Sequence, residues 1–473
     1  MPIRAFVRGA MLATAAVLVI LGALTGLDWL KSLAGALGGV YVLLVFFKVR
    51  WSRRAFVILA VALIAAALLW RDDGAALVES AFISAGFILA FFVALSTLRT
   101  AAGSSAAIRR CGLFLATRTP TKRYLALTAG GHLFSLVLNY GSISLLGTIV
   151  EQAETGPDGK FLNDVRLRRM LLAIQRGFAT TLCWSPLSFS MAVGSTLVPG
   201  GSWGATAGYG IVTAFLATML GWGLDVAFKP PRPPNAPPPP APVGSLASLR
   251  PLVLLLIAIV CGTAAFCTVT GLPVIVAVTA VVPTVSLAWM VIQIVAPLPP
   301  APRPGPGAAL AEVGRRCGDF LAREVDSYRG EMVLLYMAGF IGKLGAGLAA
   351  PLVSAHLVDL SAMPAWGVLA VLVCGMPLLG QFGMHPILAA SLMVPLMPSP
   401  EVLGVPSGLV MLAMAFGWSI SAVSSPFTAT VLLIGVFGRV PALTVGLRWN
   451  GLYIACACVF GVLWLMLLAA IMG

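Results

Sequence analysis

Two long apolar stretches of this chain are interrupted by the same kind of segment. Ser185-Pro186-Leu187-Ser188-Phe189-Ser190 is matched, 240 positions later, by Ser425-Pro426-Phe427-Thr428-Ala429-Thr430. Proline removes a backbone donor, and the hydroxyls offer the freed carbonyls another partner. In a bilayer an unpaired backbone group is penalised heavily, so a broken helix persists there only beside a cavity, a ligand or protein. One break in each half of a chain is the sequence mark of a secondary transporter built from repeats.

Composition fixes the solvent in which these breaks must be judged. Of 473 residues, 59% are hydrophobic and 10% charged, which excludes an ordinary soluble globular protein. The length suits about a dozen membrane segments of roughly 20 residues. The net charge of +14 does not imply a nucleic-acid partner, because the basic residues sit in short loops between apolar spans and there report orientation. Eight cysteines without a CxxC pair read as small core residues, with neither disulfide nor metal chemistry. No cofactor is expected beyond a coupling sodium ion or proton.

Apolar spans fall near 6–25, 28–47, 55–70, 76–99, 170–195, 203–228, 250–270, 272–297, 331–351, 407–436 and 441–470. Stretches 124–150 and 364–397 carry Gly, Pro or Asn near their centres and read as re-entrant hairpins. The first span follows Arg4 and Arg8 like a signal-peptide core, but it lacks a small-x-small cleavage site and is kept as a helix. With the N-terminus in the cytoplasm, all basic residues except Lys31, Arg71 and Lys343 fall on the cytoplasmic side. A wrong helix count would scramble that segregation. The expected fold is therefore an all-α polytopic membrane protein of two inverted repeats, with about 11 transmembrane helices and two hairpins. Its N-terminus is cytoplasmic and its C-terminus outside, in a plasma membrane of the bacterial inner type.

The division into repeats is 1–228 and 250–473, joined by 229–249. That linker holds the run PPRPPNAPPPPAP, too stiff and polar for helix and suited to an extended tether. After a second Pro/Gly segment, 308–330 alternates Leu310, Val313, Phe320, Leu321 and Val325 with charged residues, the pattern of an amphipathic helix on a membrane surface. Its Arg315-Arg316-Cys317-Gly318-Asp319-Phe320-Leu321-Ala322 nearly repeats Arg109-Arg110-Cys111-Gly112-Leu113-Phe114-Leu115-Ala116. The later landmarks are spaced differently, so this reads as chance similarity between two interfacial helices.

The order helices, hairpin, broken helix, final helix in each half resembles the ion-transporter superfamily. That superfamily includes the divalent-anion/sodium symporters and, more distantly, the citrate, arsenite and sodium/proton antiporter families. The residues carrying the resemblance are the first tip, Asn139-Tyr140-Gly141-Ser142, the break at Ser185-Pro186, the second tip, Gly383-Met384-His385-Pro386, and the break at Ser425-Pro426. It implies a scaffold and a transport domain in each protomer, commonly a homodimer, and an elevator-like movement. In the symporters a Ser-Asn-Thr motif at each tip holds substrate carboxylates and helps to coordinate sodium. Carried over, Asn139, Gly141, Ser142 and Ser144 match the first tip, and Ser185, Pro186, Ser188 and Ser190 the first break. Ser424, Ser425, Pro426, Thr428 and Thr430 match the second break. At the second tip Gly383, Met384 and His385 stand where an Asn-Thr pair is expected, a departure that bears on sodium coupling.

Chemically, half-helix N-termini direct partial positive charge at a midplane ligand. The break hydroxyls can donate to an oxyanion, or else merely satisfy kinked backbone. No carboxylate falls near the bilayer centre, since Asp28, Glu79 and Asp225 sit near span ends. A small anion, an organic carboxylate by default, thus fits better than a cation. Lys343, inside its span, is costly by about 2.5–3.5 kcal/mol and needs a partner or a purpose. It either attracts the anion or replaces a coupling cation, or it is structural. His385 can carry a coupling proton or be a satisfied structural residue. His132 reads as structural and His356 as exposed. The alternative is a cation or metalloid antiporter of the same superfamily, and a plain membrane anchor would have no use for the breaks. No P-loop, HExxH or catalytic triad is present, so neither an enzyme nor an ATP-driven pump is expected.

Overall fold

The structure is a computed structural model that describes residues 3–116, 120–229, 244–297, 303–354 and 363–472. Apart from an isolated bridge between Thr155 and Phe161, the described regular structure is helical. The chain opens with α1 (Ile3–Thr25), α2 (Asp28–Val45), α3 (Trp51–Trp70) and the long α4 (Gly74–Gly103), followed by the short α5 (Ala106–Ala116). A helical hairpin of α6 (Pro120–Leu138) and α7 (Gly141–Glu154) leads to α8 (Asp164–Thr181), α9 (Phe189–Leu197) and α10 (Trp203–Ala227). The second half runs α11 (Arg250–Thr270), α12 (Val274–Val295), α13 (Pro306–Asp319), α14 (Val325–Ser327) and α15 (Arg329–Ser354). A second hairpin pairs α16 (Ala365–Gln381) with α17 (Pro386–Met393). It is followed by α18 (Pro400–Leu403), α19 (Ser407–Ser424), α20 (Ala429–Gly438) and α21 (Gly451–Met472).

Local sequence explains the boundaries. Asn163 caps α8 by accepting from Arg166 N at 2.8 Å, and Ser202 caps α10 through Ala205 N. Such caps satisfy orphan donors of the first turn. Gly271 ends α11 in the left-handed conformation that glycine adopts without penalty.

Ten of the described helical segments are long and apolar enough to cross a membrane. The eleventh expected span, 170–195, is not among them: it divides at its expected break into the end of α8 and α9. α8 carries Asp164, Arg166, Arg168, Arg169 and Arg176, and the apolar part α9 has only nine residues. The outer faces are apolar: Leu69 and Trp70 are each 79% exposed and Val269 is 85% exposed. Surfaces of that kind require lipid or protein, not water. The integral membrane assignment follows from these faces and spans together.

The interior divides into two apolar clusters. One gathers Leu12, Val42, Tyr41, Val57, Met332 and Phe340 from α1, α2, α3 and α15. The other gathers the hairpins, both broken helices, α10, α12 and α21 around α19. Residues of α19 from Gly408 to Ser424 are all buried, so this helix is the axis of the second cluster. α4 and α15 line both clusters with opposite faces. Each cluster draws on both halves of the chain.

The amphipathic segment lies at one end of α1. Arg8 pairs with Asp326 at 2.6 Å, and a Cβ on Gly9 would sit 2.0 Å from the Leu321 carbonyl oxygen. On α13, hydrogen bonds from Arg315 and then Arg316 hold the Glu312 carboxyl down to about 2. The same end collects Arg439 on Glu151 and Arg166 on Glu154. It is an arginine-rich end built from chain-remote loops. Most of the Pro-rich linker and His356 lie outside the described residues.

Candidate functional site

The two breaks share three hydrogen bonds, position for position. In the first, Ser188 Oγ donates to the Ser185 carbonyl at 2.7 Å, Leu187 N donates to Ser185 Oγ at 3.2 Å, and Ser190 Oγ donates to the Leu182 carbonyl. In the second, Thr428 Oγ1 donates to the Ser425 carbonyl at 2.8 Å, Phe427 N to Ser425 Oγ at 3.3 Å, and Thr430 Oγ1 to the Ala422 carbonyl. Ser188 and Ser190 touch at 2.9 Å, Thr428 and Thr430 at 3.2 Å. The hydroxyls therefore replace the helical bonds that the prolines remove. Their protons are committed to carbonyls in this conformation. What they leave for a ligand is the remaining oxygen lone pairs, together with first-turn N–H groups of α20, which has no side-chain cap, and of α9, where Ser188 Oγ takes Met191 N.

Each break lies against the first arm of its hairpin. α6 packs on α8, with His132 and Thr180 at 3.0 Å and Ser135 Oγ donating to Thr181 Oγ1 at 3.4 Å. α16 packs on α19, where Ser425 Oγ donates to the Gly380 carbonyl at 2.6 Å. Both tips turn through a left-handed residue, Asn139 at φ 51° and Gly383 at φ 85°. Glycine takes that conformation freely, and asparagine is among the side chains that tolerate it best.

The expected site residues are not all drawn together. Gly383 lies over the Phe427 ring, and Gly380 meets Ser425 and Ser421, so the second tip and second break form one unit. Ser424 is buried beside them, its Oγ directed at the Ser421 carbonyl. Pro186 and Pro426 are half-buried at the break corners. At the first tip, Ser142 Oγ donates to the Asn139 carbonyl at 2.7 Å, and the Ser144 carbonyl accepts from Thr148 Oγ1. Among the described residues, these side chains make no bond to either break. Tyr140 instead stacks near Phe178 of α8, and Gly141 faces Arg99 of α4. His385 is the N-cap of α17: its Nδ1 accepts from Ile387 N at 3.3 Å.

Lys343 is exposed to a cavity rather than buried. The cavity, about 500 Å³, lies between α1, α2, α4, α9, α12 and α15 and is lined by Lys31, Ser80, Ser84, Thr196 and Lys343. Lys31 is paired with Asp28 at 2.7 Å. Lys343 has no hydrogen bond or ion pair among the described residues.

Two polar clusters escaped the sequence reading. Trp184 Nε1 donates to His132 Nε2 at 3.1 Å, and an indole can only donate. Neutral His132 therefore carries its proton on Nδ1 and gives it to Thr180 Oγ1. The other cluster joins Gln175, Arg176 and Asn450, all buried. Its signal in the sequence was a Gln-Arg pair inside an apolar span. Gln175 Nε2 and Ser421 Oγ are buried with no hydrogen-bond partner among the described residues, a condition rare enough to point to a role.

No protein-family model and no curated protein matches this chain. Among solved structures, it is similar to the YdaH transporter of Alcanivorax borkumensis, a crystal structure described as revealing an unusual topology. The TM-score is 0.55 at 16% sequence identity, covering 88% of this chain and 98% of that one. At that identity the likeness concerns the fold: this chain has the fold of a polytopic membrane transporter.

Proposed function

We propose that the chain is a secondary active transporter that moves a small anion, by default an organic carboxylate, using a proton or sodium gradient. The observation that carries this reading is the duplicated hydrogen-bond network of the two breaks, each seated against a hairpin arm. A scaffold or anchor gains nothing from two equivalent interruptions of its most buried helices, whereas a midplane binding site needs them. Similarity of fold to a known transporter supports it.

The anionic substrate is supported by Lys343, an unpaired cation on an apolar helix that looks into a cavity with three hydroxyl residues. The described carboxylates nearest that cavity, Asp28 and Glu79, bond to Lys31 and Ser32 at helix ends. The buried, unpaired Ser421 Oγ and Gln175 Nε2 and the N-termini of α9 and α20 are the donors available to the anion. The lone pairs of the break hydroxyls suit a coupling cation.

An elevator movement is supported by the two apolar clusters, with α4 and α15 as the wall between them. Both tips sit toward the arginine-rich end. Gly141 is beside Arg99, and the charge of Arg53, which packs over Gly330, reaches His385. The Lys343 cavity lies toward the opposite end, between α1 and the loop before α12. With the arginine-rich end in the cytoplasm, this arrangement corresponds to a moving part displaced inward and a vestibule left open outside. Re-entrant hairpins and a homodimer belong to the same proposal.

The test is uptake into proteoliposomes under imposed sodium or proton gradients, preceded by a thermal-shift screen of carboxylates. A carboxylate at about 100 times its dissociation constant stabilises by roughly 2.7 kcal/mol. Gradient-driven carboxylate uptake supports the reading. A response to sodium, lithium or arsenite alone, with no anion effect, transfers it to the antiporter class.

A further inference from the structure

At the arginine-rich end, a second cavity of about 450 Å³ opens between the start of α8, the end of α10 and the start of α21. Four guanidinium groups line it: Arg168, Arg169, Arg176 and Arg448. A single carboxylate, Asp225, faces them, and it is consumed by Arg169 through two bonds of 2.7 and 2.6 Å. Among the described residues, the remaining three arginines have no carboxylate partner. Arg168 stacks over Trp449 at 5.5 Å and reaches only that residue's carbonyl, at 3.4 Å. Arg448 has no hydrogen bond or ion pair among the described residues. Arg176 is 6% exposed. It stacks over Tyr453 at 4.4 Å and donates to Asn450 Oδ1, Tyr124 Oη and the Gly221 carbonyl, all neutral acceptors. Its Nη2 has no acceptor among the described residues.

Three uncompensated guanidiniums around one cavity repel one another, and a partly buried one is expensive without a counter-charge. Guanidinium forks match phosphate oxygens bidentately, and aromatic faces hold the forks in place. The rim supplies the rest of the recognition. Phe228 and Leu452, which also line the cavity, are 69% and 51% exposed on the outer, apolar face of α10 and α21. A ligand with a charged head and an apolar tail fits both surfaces at once.

We propose that this cavity binds a phosphate oxyanion, presented by the headgroup of an anionic membrane lipid whose chains run along Phe228 and Leu452. Basic recesses between membrane helices on the cytoplasmic side are suited to such headgroups. The site is separate from the two breaks. Arg176 nevertheless belongs to the cluster that ties α8 to α19, so headgroup binding bears on the packing of both broken helices.

The full-length protein in a neutral detergent tests this. Its unfolding midpoint is followed while titrating dihexanoyl-phosphatidylglycerol, dihexanoyl-phosphatidylcholine or inorganic phosphate, for the wild type and for Arg168→Gln/Arg448→Gln. The anionic lipid is expected to raise the midpoint, with an apparent affinity at least tenfold weaker in the variant, and phosphatidylcholine to do neither. Inorganic phosphate matching the lipid in affinity and in sensitivity to the variant keeps the phosphate site and makes its source soluble. No shift with either phosphate source, equal shifts with phosphatidylcholine, or shifts unchanged in the variant overturn the proposal. Arg448→Gln alone, at an exposed side chain, serves if the double variant does not fold.

Discussion

Asn450 donates from Nδ2 to Gln175 Oε1 at 3.0 Å, joining the turn before α21 to α8. Its second N–H is shared between the carbonyls of Val423 and Val445, each 3.2 Å away, and Oδ1 accepts from Arg176 Nε at 3.1 Å. One side chain thus holds α8, the end of α19 and the π-helical turn Thr444–Trp449 in register. Each buried group left without a partner costs about 1–3 kcal/mol. Asn450→Leu is therefore expected to lower the unfolding midpoint strongly, and Asn450→Asp, which keeps the acceptor for Arg176, to lower it less. Equal midpoints for wild type and Asn450→Leu would show that the amide is not the tether.

The matching breaks make matching predictions. Thr430→Ala strips the second break of the bond to the Ala422 carbonyl, and Ser190→Ala does the same to Leu182. Both variants are expected to insert normally and lose most transport, with local destabilisation of about 1–3 kcal/mol each. Thr430→Ser, which keeps the hydroxyl, is expected to retain activity. Uptake per unit of reconstituted protein measures it, and full activity in both alanine variants would remove the breaks from the mechanism.

The features legible in the sequence are those set by local composition and by the bilayer. Apolar runs mark the spans, prolines with hydroxyls mark the breaks, and Asn139 and Gly383 mark the two tips. The unread features are pairings across the chain. Arg176 reads in the sequence only as one more cytoplasmic cation because its neutral acceptors, Tyr124 and Asn450, lie 52 positions before and 274 after it. His132 reads as structural, but its partners Thr180 and Trp184, 48 and 52 positions on, are not visible in the sequence. The span 170–195 reads as apolar because it starts after Arg166, Arg168 and Arg169 and keeps only Arg176, although all four belong to α8. Nor does linear order reveal that both halves supply both apolar clusters.

Lys343 separates function from stability. A lysine on an apolar helix costs about 2.5–3.5 kcal/mol on insertion scales, so Lys343→Met is expected to leave the midpoint unchanged or raise it. If the cavity draws in an anion, the same variant weakens substrate affinity and flattens the salt dependence of uptake, since a point charge is screened by salt. Lys343→Arg is expected to keep both. Unchanged uptake kinetics in Lys343→Met would make this residue structural.

His385 yields the sharpest test of coupling. As the cap of α17, its Nδ1 must be an unprotonated acceptor for Ile387 N, so the neutral ring carries its proton on Nε2. Capture of a second proton would convert that acceptor to a donor and undo the cap. A group that loses a structural bond on protonation is poorly placed to shuttle protons each cycle. His385→Asn, which keeps a short acceptor, is expected to preserve both stability and the pH profile of uptake. His385→Ala is expected to lose about 1 kcal/mol, as cap removals do, with a scaled but unshifted profile. A His385→Asn protein of normal stability whose uptake no longer responds to pH would reverse the assignment and make this imidazole the proton carrier.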